Sequence, residues 1–232
     1  MRYFSLFCYW MLLLPLNFIN NLDDDKILYP AIQPDQLRIC SPIATDSVPE
    51  LPKIISDPYH PPPMGQDRRH QGVDFAFYRH KGYASILGVP VQSILPGRIA
   101  AAIPNSFPFG NLIIVETPYD QLPNQVIQEL AISNRESLYI LYAHLQEKPE
   151  IQIGEKTIPC QKLGAAGKSG NAGAAHLHLE MRIGPQAKIF SSMSYYQLGI
   201  SAEARLNYKL WRTSGIFRHI DPMKLLSPDL IH

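Results

Sequence analysis

Prolines punctuate this chain so often that its fold is narrowed before any motif is read. Twenty-one prolines and 14 glycines fall among short apolar runs, and a proline inside a helix costs about 3 kcal/mol. Strands and turns are therefore favoured, and helical bundles and coiled coils are excluded. From Tyr59 onward, apolar segments of strand length alternate with turns, at 73–78, 90–95, 97–103, 111–117, 137–144 and 175–183. This is the pattern of a mainly β domain. Two longer stretches, 118–136 and 191–213, exceed the usual hairpin loop. The second has room for a short helix from Ser194 onward. Each is read either as a wall of a substrate groove or as a plain surface insertion.

A length of 232 residues allows one core plus a tethering segment. Arg2 precedes an uncharged apolar run, 3–19, that stops at Asp23-Asp24-Asp25. Residues 1–20 thus read as a signal peptide or an N-terminal membrane anchor, and the chain as exported to the periplasm, the envelope or the exterior. Residues 21–56 hold Pro30, Pro34, Pro42, Pro49 and Pro52 without sustained periodicity. They read as a tether, or as an arm lying on a single domain at 57–228. A formal net charge of +1 provides no global field for nucleic acid or an anionic membrane. Cys8 lies in the apolar run, which leaves Cys40 and Cys160 as one disulfide in an oxidising compartment or as two free buried thiols.

The chemistry concentrates in the histidines, eight in all. In Arg69-His70-Gln71-Gly72-Val73-Asp74, an extended segment or a helical turn places His70 and Asp74 on one face. Gly72 between them permits a bend or a close backbone approach. In Ala175-His176-Leu177-His178-Leu179-Glu180-Met181, strand alternation points His176, His178 and Glu180 one way and Leu177, Leu179 and Met181 into a core. Three titratable groups in a row on one face are costly to bury unless they meet a partner or a cation. Tyr142-Ala143-His144-Leu145 adds one histidine in an apolar strand, which by itself is as well explained by a structural role. The sequence contains no His-Glu-x-x-His. The glycines at 164, 167, 170 and 173 include Gly167-Lys168-Ser169, but Lys162 stands where a Gly-x-x-x-x-Gly-Lys-Ser/Thr loop needs its first glycine, and the stretch runs into a strand, so it reads as a tight turn near the site rather than a phosphate cradle.

In this order, His-x-Gly-x-Asp, Tyr-Ala-His-Leu and His-Leu-His-Leu-Glu resemble the lysostaphin-type (LytM-like) zinc metallopeptidases that cut peptide bonds in bacterial peptidoglycan. The similarity includes Gly88-Val89-Pro90-Val91, Gly110-Asn111, the glycine-rich stretch and Asp221-Pro222, and it spans about Pro63 to Leu226. It implies a groove-bearing, sandwich-like fold of antiparallel sheets with short helices in the insertions. It also implies one Zn2+ per chain, held by His70, Asp74 and His178. Two imidazoles and a carboxylate leave a fourth position open, as in catalytic zinc sites. His144 and His176 would then flank the attacking water and the oxyanion as general base, proton donor or electrostatic stabiliser. Glu180 would orient an imidazole from behind. The implied substrate is a peptidoglycan stem peptide or cross-bridge.

A non-catalytic wall-binding or activator module of the same fold is the rival reading, and the intact ligand set weighs against it. Plugging of the site by an arm residue such as Asn21 or Asp35 is a third. The stretch 78–87 is longer than the family's usual link, and His80 within it is expected in an exposed loop. Tyr142 and the aromatic residues of the insertions are expected near substrate.

Overall fold

The computed structural model describes residues 39–227 and Leu230. The first 38 residues, with the expected signal or anchor, Asn21 and Asp35, lie outside the described residues. Among the described residues there are twelve strands: β1 Ile55–Asp57, β2 Val73–Phe75, β3 Tyr78–His80, β4 Tyr83–Ser85, β5 Pro90–Gln92, β6 Gly97–Ser106, β7 Gly110–Pro118, β8 Glu136–Leu145, β9 Lys156–Thr157, β10 Lys162–Ala165, β11 Leu177–Pro185 and β12 Arg218–Ile220. The helices are α1 Asn124–Leu130, α2 Ala202–Arg212 and α3 Pro222–Leu225. Among the described residues, no helix is long and apolar enough to cross a membrane.

One sheet dominates, in the order β1-β2-β11-β8-β7-β6-β9 with β12 also on β11, and its pairs are antiparallel. Both faces are covered. Leu177, Leu179 and Met181 of β11, with Ile140 and Tyr142 of β8, face a core that also receives Val91 of β5 and Leu163 of β10. The small β5–β10 sheet thus closes one side, which is the sandwich-like arrangement expected. The opposite face carries Leu112 and Ile114 of β7 and Tyr139 and Leu141 of β8, under Phe190, Tyr208, Trp211 and Phe217.

The second long insertion supplies part of that cover, Tyr208 and Trp211. Ser201 caps α2 by accepting from the Ala204 amide, and Ala204, Tyr208 and Trp211 are buried at the three- and four-residue spacing of one helical face. The first insertion behaves differently from a groove wall. It forms α1, whose Val126 and Leu130 seal the edge of the other core.

The domain begins earlier than residue 57. Ile39, Ile43, Val48, Leu51 and Ile54 are buried in the main core, Cys40 is disulfide-bonded to Cys160, and Ile55–Asp57 pairs with β2. The prolines of 42–52 hid this, because they break periodicity without preventing burial. His80 is also not a loop residue. It lies on β3, and its Nε2 stands 2.6 Å from Oδ1 of Asp46, whose side chain is fully buried.

Candidate metal centre

Asp74 and His178 are directly opposed partners across the β2–β11 pair, so main-chain register alone brings a carboxylate to an imidazole. Oδ1 of Asp74 is 2.7 Å from Nδ1 of His178 and 3.0 Å from Nε2 of His70. The two ring nitrogens are 3.0 Å apart. His70 comes from the turn before β2, and Gly72 makes the approach feasible. A Cβ there would stand 2.4 Å from the Leu179 carbonyl oxygen and 2.9 Å from Cε1 of His178.

The partners on the far side of each ring set its tautomer. Nδ1 of His70 lies 3.0 Å from the Pro58 carbonyl, which only accepts, so Nδ1 carries the proton and Nε2 presents a lone pair to the trio. For His178 the assignment is reversed. Nε2 is 3.1 Å from Oε1 of Glu180, leaving the Nδ1 lone pair inward. Two lone pairs and a carboxylate oxygen thus converge within 4.8 Å of one another, an arrangement that repels itself unless a positive charge enters. Tetrahedral zinc with bonds of about 2.0–2.1 Å separates neighbouring donors by about 3.3 Å. The donors stand near that spacing, and the set of two nitrogens and one oxygen suits zinc.

The electrostatics of the side chains follow from the same contacts. Burial opposes charge on His178, but with no ion between them hydrogen bonds to Asp74 and Glu180 outweigh it and raise its pKa to about 9, so a proton on Nδ1 takes the place of the positive charge and must leave before that lone pair can bind a metal. Burial likewise opposes the Asp74 carboxylate, yet hydrogen bonds from His178 and His70 hold its pKa far below the usual range. Burial, then repulsion from His178 and His176, pushes His144 down to about 3, so it is neutral at pH 7.

His144 reaches this place through a β-bulge. On β7–β8, Asn111 pairs with Leu145 and Ile113 with Tyr142, so Ala143 and His144 together oppose Leu112 alone. His144 adopts a left-handed conformation, φ 59°, at a cost of about 1–2 kcal/mol. The extra residue reverses the alternation. Tyr142 stays in the core, fully buried, its hydroxyl accepting from the Ile94 amide, and so it cannot touch a substrate. His144 turns to the ligand face, 4.5 Å from the His176 ring and 5.8 Å from the His178 ring between centroids.

Carbonyls hold both flanking rings. Nδ1 of His144 donates to Ser169 (2.8 Å) and Nδ1 of His176 to Ala174 (2.9 Å), so Nε2 of each is an acceptor. The glycine-rich stretch thereby supplies a ring support. Gly170, at φ 73°, packs where a Cβ would stand 2.2 Å from the Pro108 carbonyl oxygen.

These five residues line one open cavity of about 280 Å³, with Asn171 and Gly173 on one rim and Tyr208 and Arg212 of α2 on another. Glu180 is fully buried behind His178. Its pKa is well below the usual value, because Arg212 and Arg182 outweigh the burial that opposes its charge. Arg182, Arg212 and Asp67 were not singled out in the sequence. Arg182 continues the 176-178-180 alternation and was legible there; Asp67 and Arg212 carry no local signal.

No protein-family model and no curated protein matches this sequence. Among solved structures, the chain is similar to the catalytic domain of the antimicrobial peptidase lysostaphin from Staphylococcus simulans, with TM-score 0.43 and 21% identity over 78% of this chain and 97% of that one. It is also similar to the catalytic domain of the prophage-encoded M23 protein EnpA from Enterococcus faecalis, with TM-score 0.41 and 19% identity over 59% and 85% of the two chains. A zinc containing peptidase from Vibrio cholerae has TM-score 0.38 and 21% identity over 56% of this chain and 33% of that one. The chemistry of the site rests on its own distances.

Proposed function

We propose that this chain is a zinc-dependent endopeptidase that hydrolyses peptide bonds of bacterial cell-wall peptidoglycan, in the stem peptide or the cross-bridge. The observation that carries the reading is the convergence of three lone-pair donors, from His70, Asp74 and His178, in a cavity that two further imidazoles face. When bound, zinc supplies Lewis acidity towards the scissile carbonyl and lowers the pKa of a coordinated water to about 7. The rest of the chemistry belongs to the chain. His70, Asp74 and His178 hold the ion. His144 and His176 each keep a proton on Nδ1 against a carbonyl, so each presents an Nε2 lone pair to the water; burial and repulsion that keep His144 neutral leave His176 the better placed to take a proton and return it to the leaving amine. Once protonated, the same nitrogen donates to the oxyanion. Asn171 and the aromatic side chain of Tyr208 border the space where the peptide would lie.

The peptidoglycan assignment follows from the motif resemblance. The Cys40–Cys160 disulfide agrees with export, as does the apolar run 3–19 read as a signal or an anchor. Metal analysis of the purified full-length chain should find about one zinc, and the loaded protein should release new amine ends from sacculi. His178→Ala should lose both the metal and the cleavage. Sacculi left intact by zinc-loaded protein would refute the enzymatic reading.

A further inference from the structure

Behind the ligands, the oxygens of Glu180 are divided between two sets of donors. Oε2 takes Arg182, from Nε at 3.2 Å and Nη2 at 2.9 Å, and the Trp211 indole at 2.7 Å. Oε1 takes Nε2–H of His178 at 3.1 Å and Nη1 of Arg212 at 2.5 Å. The oxygen that fixes the ligand ring therefore has Arg212 as its other anchor. Nε of that guanidinium donates to Oδ1 of Asp67 at 2.8 Å. Oδ2 of Asp67 is occupied by the hydroxyls of Tyr196 (2.6 Å) and Tyr208 (2.8 Å).

Asp67 stands three residues before His70. One planar fork, its side chain only 10% exposed, thus ties the segment that delivers His70 to the strand that delivers His178. A lysine ammonium is a point charge and cannot span both carboxylates in the same way. One buried and one partly buried carboxylate face two guanidiniums, so losing Arg212 leaves Oε1 with His178 alone and Asp67 without its cation. His178 and the turn carrying His70 would then lose a common reference.

We propose that Arg212 is a positioning residue of the metal centre: by spanning Asp67 and Glu180 it holds the His70 segment and the His178 ring at ligating separation, which makes the inserted helix α2 part of the site. This rests on the zinc reading above. Its test is the zinc dissociation constant of the full-length chain, measured by competition with a chromophoric chelator, with folding followed by circular dichroism.

Arg212→Met and Asp67→Asn should each weaken zinc binding by about 10–100-fold, and Arg212→Lys should recover part of the loss. The Arg212→Met/Asp67→Asn double variant should be little worse than the poorer single one, because both cut the same link. Leu206→Ser, on the outer side of α2 and 66% exposed, should change nothing. Folded Arg212 and Asp67 variants that bind zinc within about twofold of wild type would overturn the proposal, as would fully additive losses. Failure of all three single variants to fold would refute a role particular to the metal centre. A wild-type chain that binds no zinc would sink the zinc reading itself.

Discussion

Gly72→Ala is the smallest change that should disable the metal centre. The added Cβ would stand 2.4 Å from the main-chain oxygen of Leu179, 2.9 Å from Cε1 of His178 and 3.1 Å from Cγ of Glu180, where ordinary contact begins near 3.4 Å. The carbonyl cannot yield, because Leu179 is paired to Val73 on one side and Tyr142 on the other. The segment 70–74 must instead retreat from β11 by about 1 Å, an overpacking strain worth about 1–3 kcal/mol. The same retreat carries His70 and Asp74 away from His178. Donor separations of 2.7–3.0 Å then overshoot the roughly 3.3 Å that tetrahedral zinc allows. Zinc affinity should fall by at least about tenfold, and the melting temperature by about 2–10 °C. Chelator competition and a thermal scan read the two effects separately. An alanine variant with wild-type affinity and wild-type melting would show that the 2.4 Å approach is not what seats the ligands.

Three further outcomes are expected. His144→Ala should keep its zinc, since this ring is outside the donor trio, while cleavage of sacculi falls by about 10²-fold or more; loss of the metal instead would place His144 among the ligands. Reducing the Cys40–Cys160 bridge, which joins residues 120 apart, should cost about 2–5 kcal/mol, visible as a lower unfolding midpoint with dithiothreitol; an unchanged midpoint would contradict it. Asp46 is held below its ordinary pKa because hydrogen bonds from His80, Thr45 and Lys81 outweigh the burial that raises it. Its stabilisation is therefore complete above the unfolded pKa of about 3.9 and is lost as pH falls through the lower folded value. The stability gap between wild type and Asp46→Asn should be fully present near pH 5 and shrink below about 4. A gap that persists to pH 2 would refute this.

The β class and most of the site could be read locally because strand geometry has a period of two. That period alone puts His176, His178 and Glu180 on one face, and it extends to Arg182. It also misleads at one position. Unbroken alternation from Tyr142 would send His144 into the core beside it, and only the bulge opposite Leu112 turns the ring to the ligands. The segment 39–56 conceals its burial for a related reason. Its prolines erase periodicity, yet Leu51 and Ile43 are fully buried, because burial needs contact and not a regular repeat.

By itself, the sequence determined a proline-punctuated β domain, a His-x-Gly-x-Asp segment able to approach a His-x-His strand, and a donor set whose chemistry suits zinc. Tertiary structure alone decided the register that sets Asp74 against His178, the bulge that aims His144, and the meeting of Arg212 with Asp67 across 145 positions. The physical reason is range. Side-chain alternation and glycine tolerance act over a few residues and are written in order along the chain, whereas register, bulge placement and the docking of α2 arise from packing between segments that no local pattern connects.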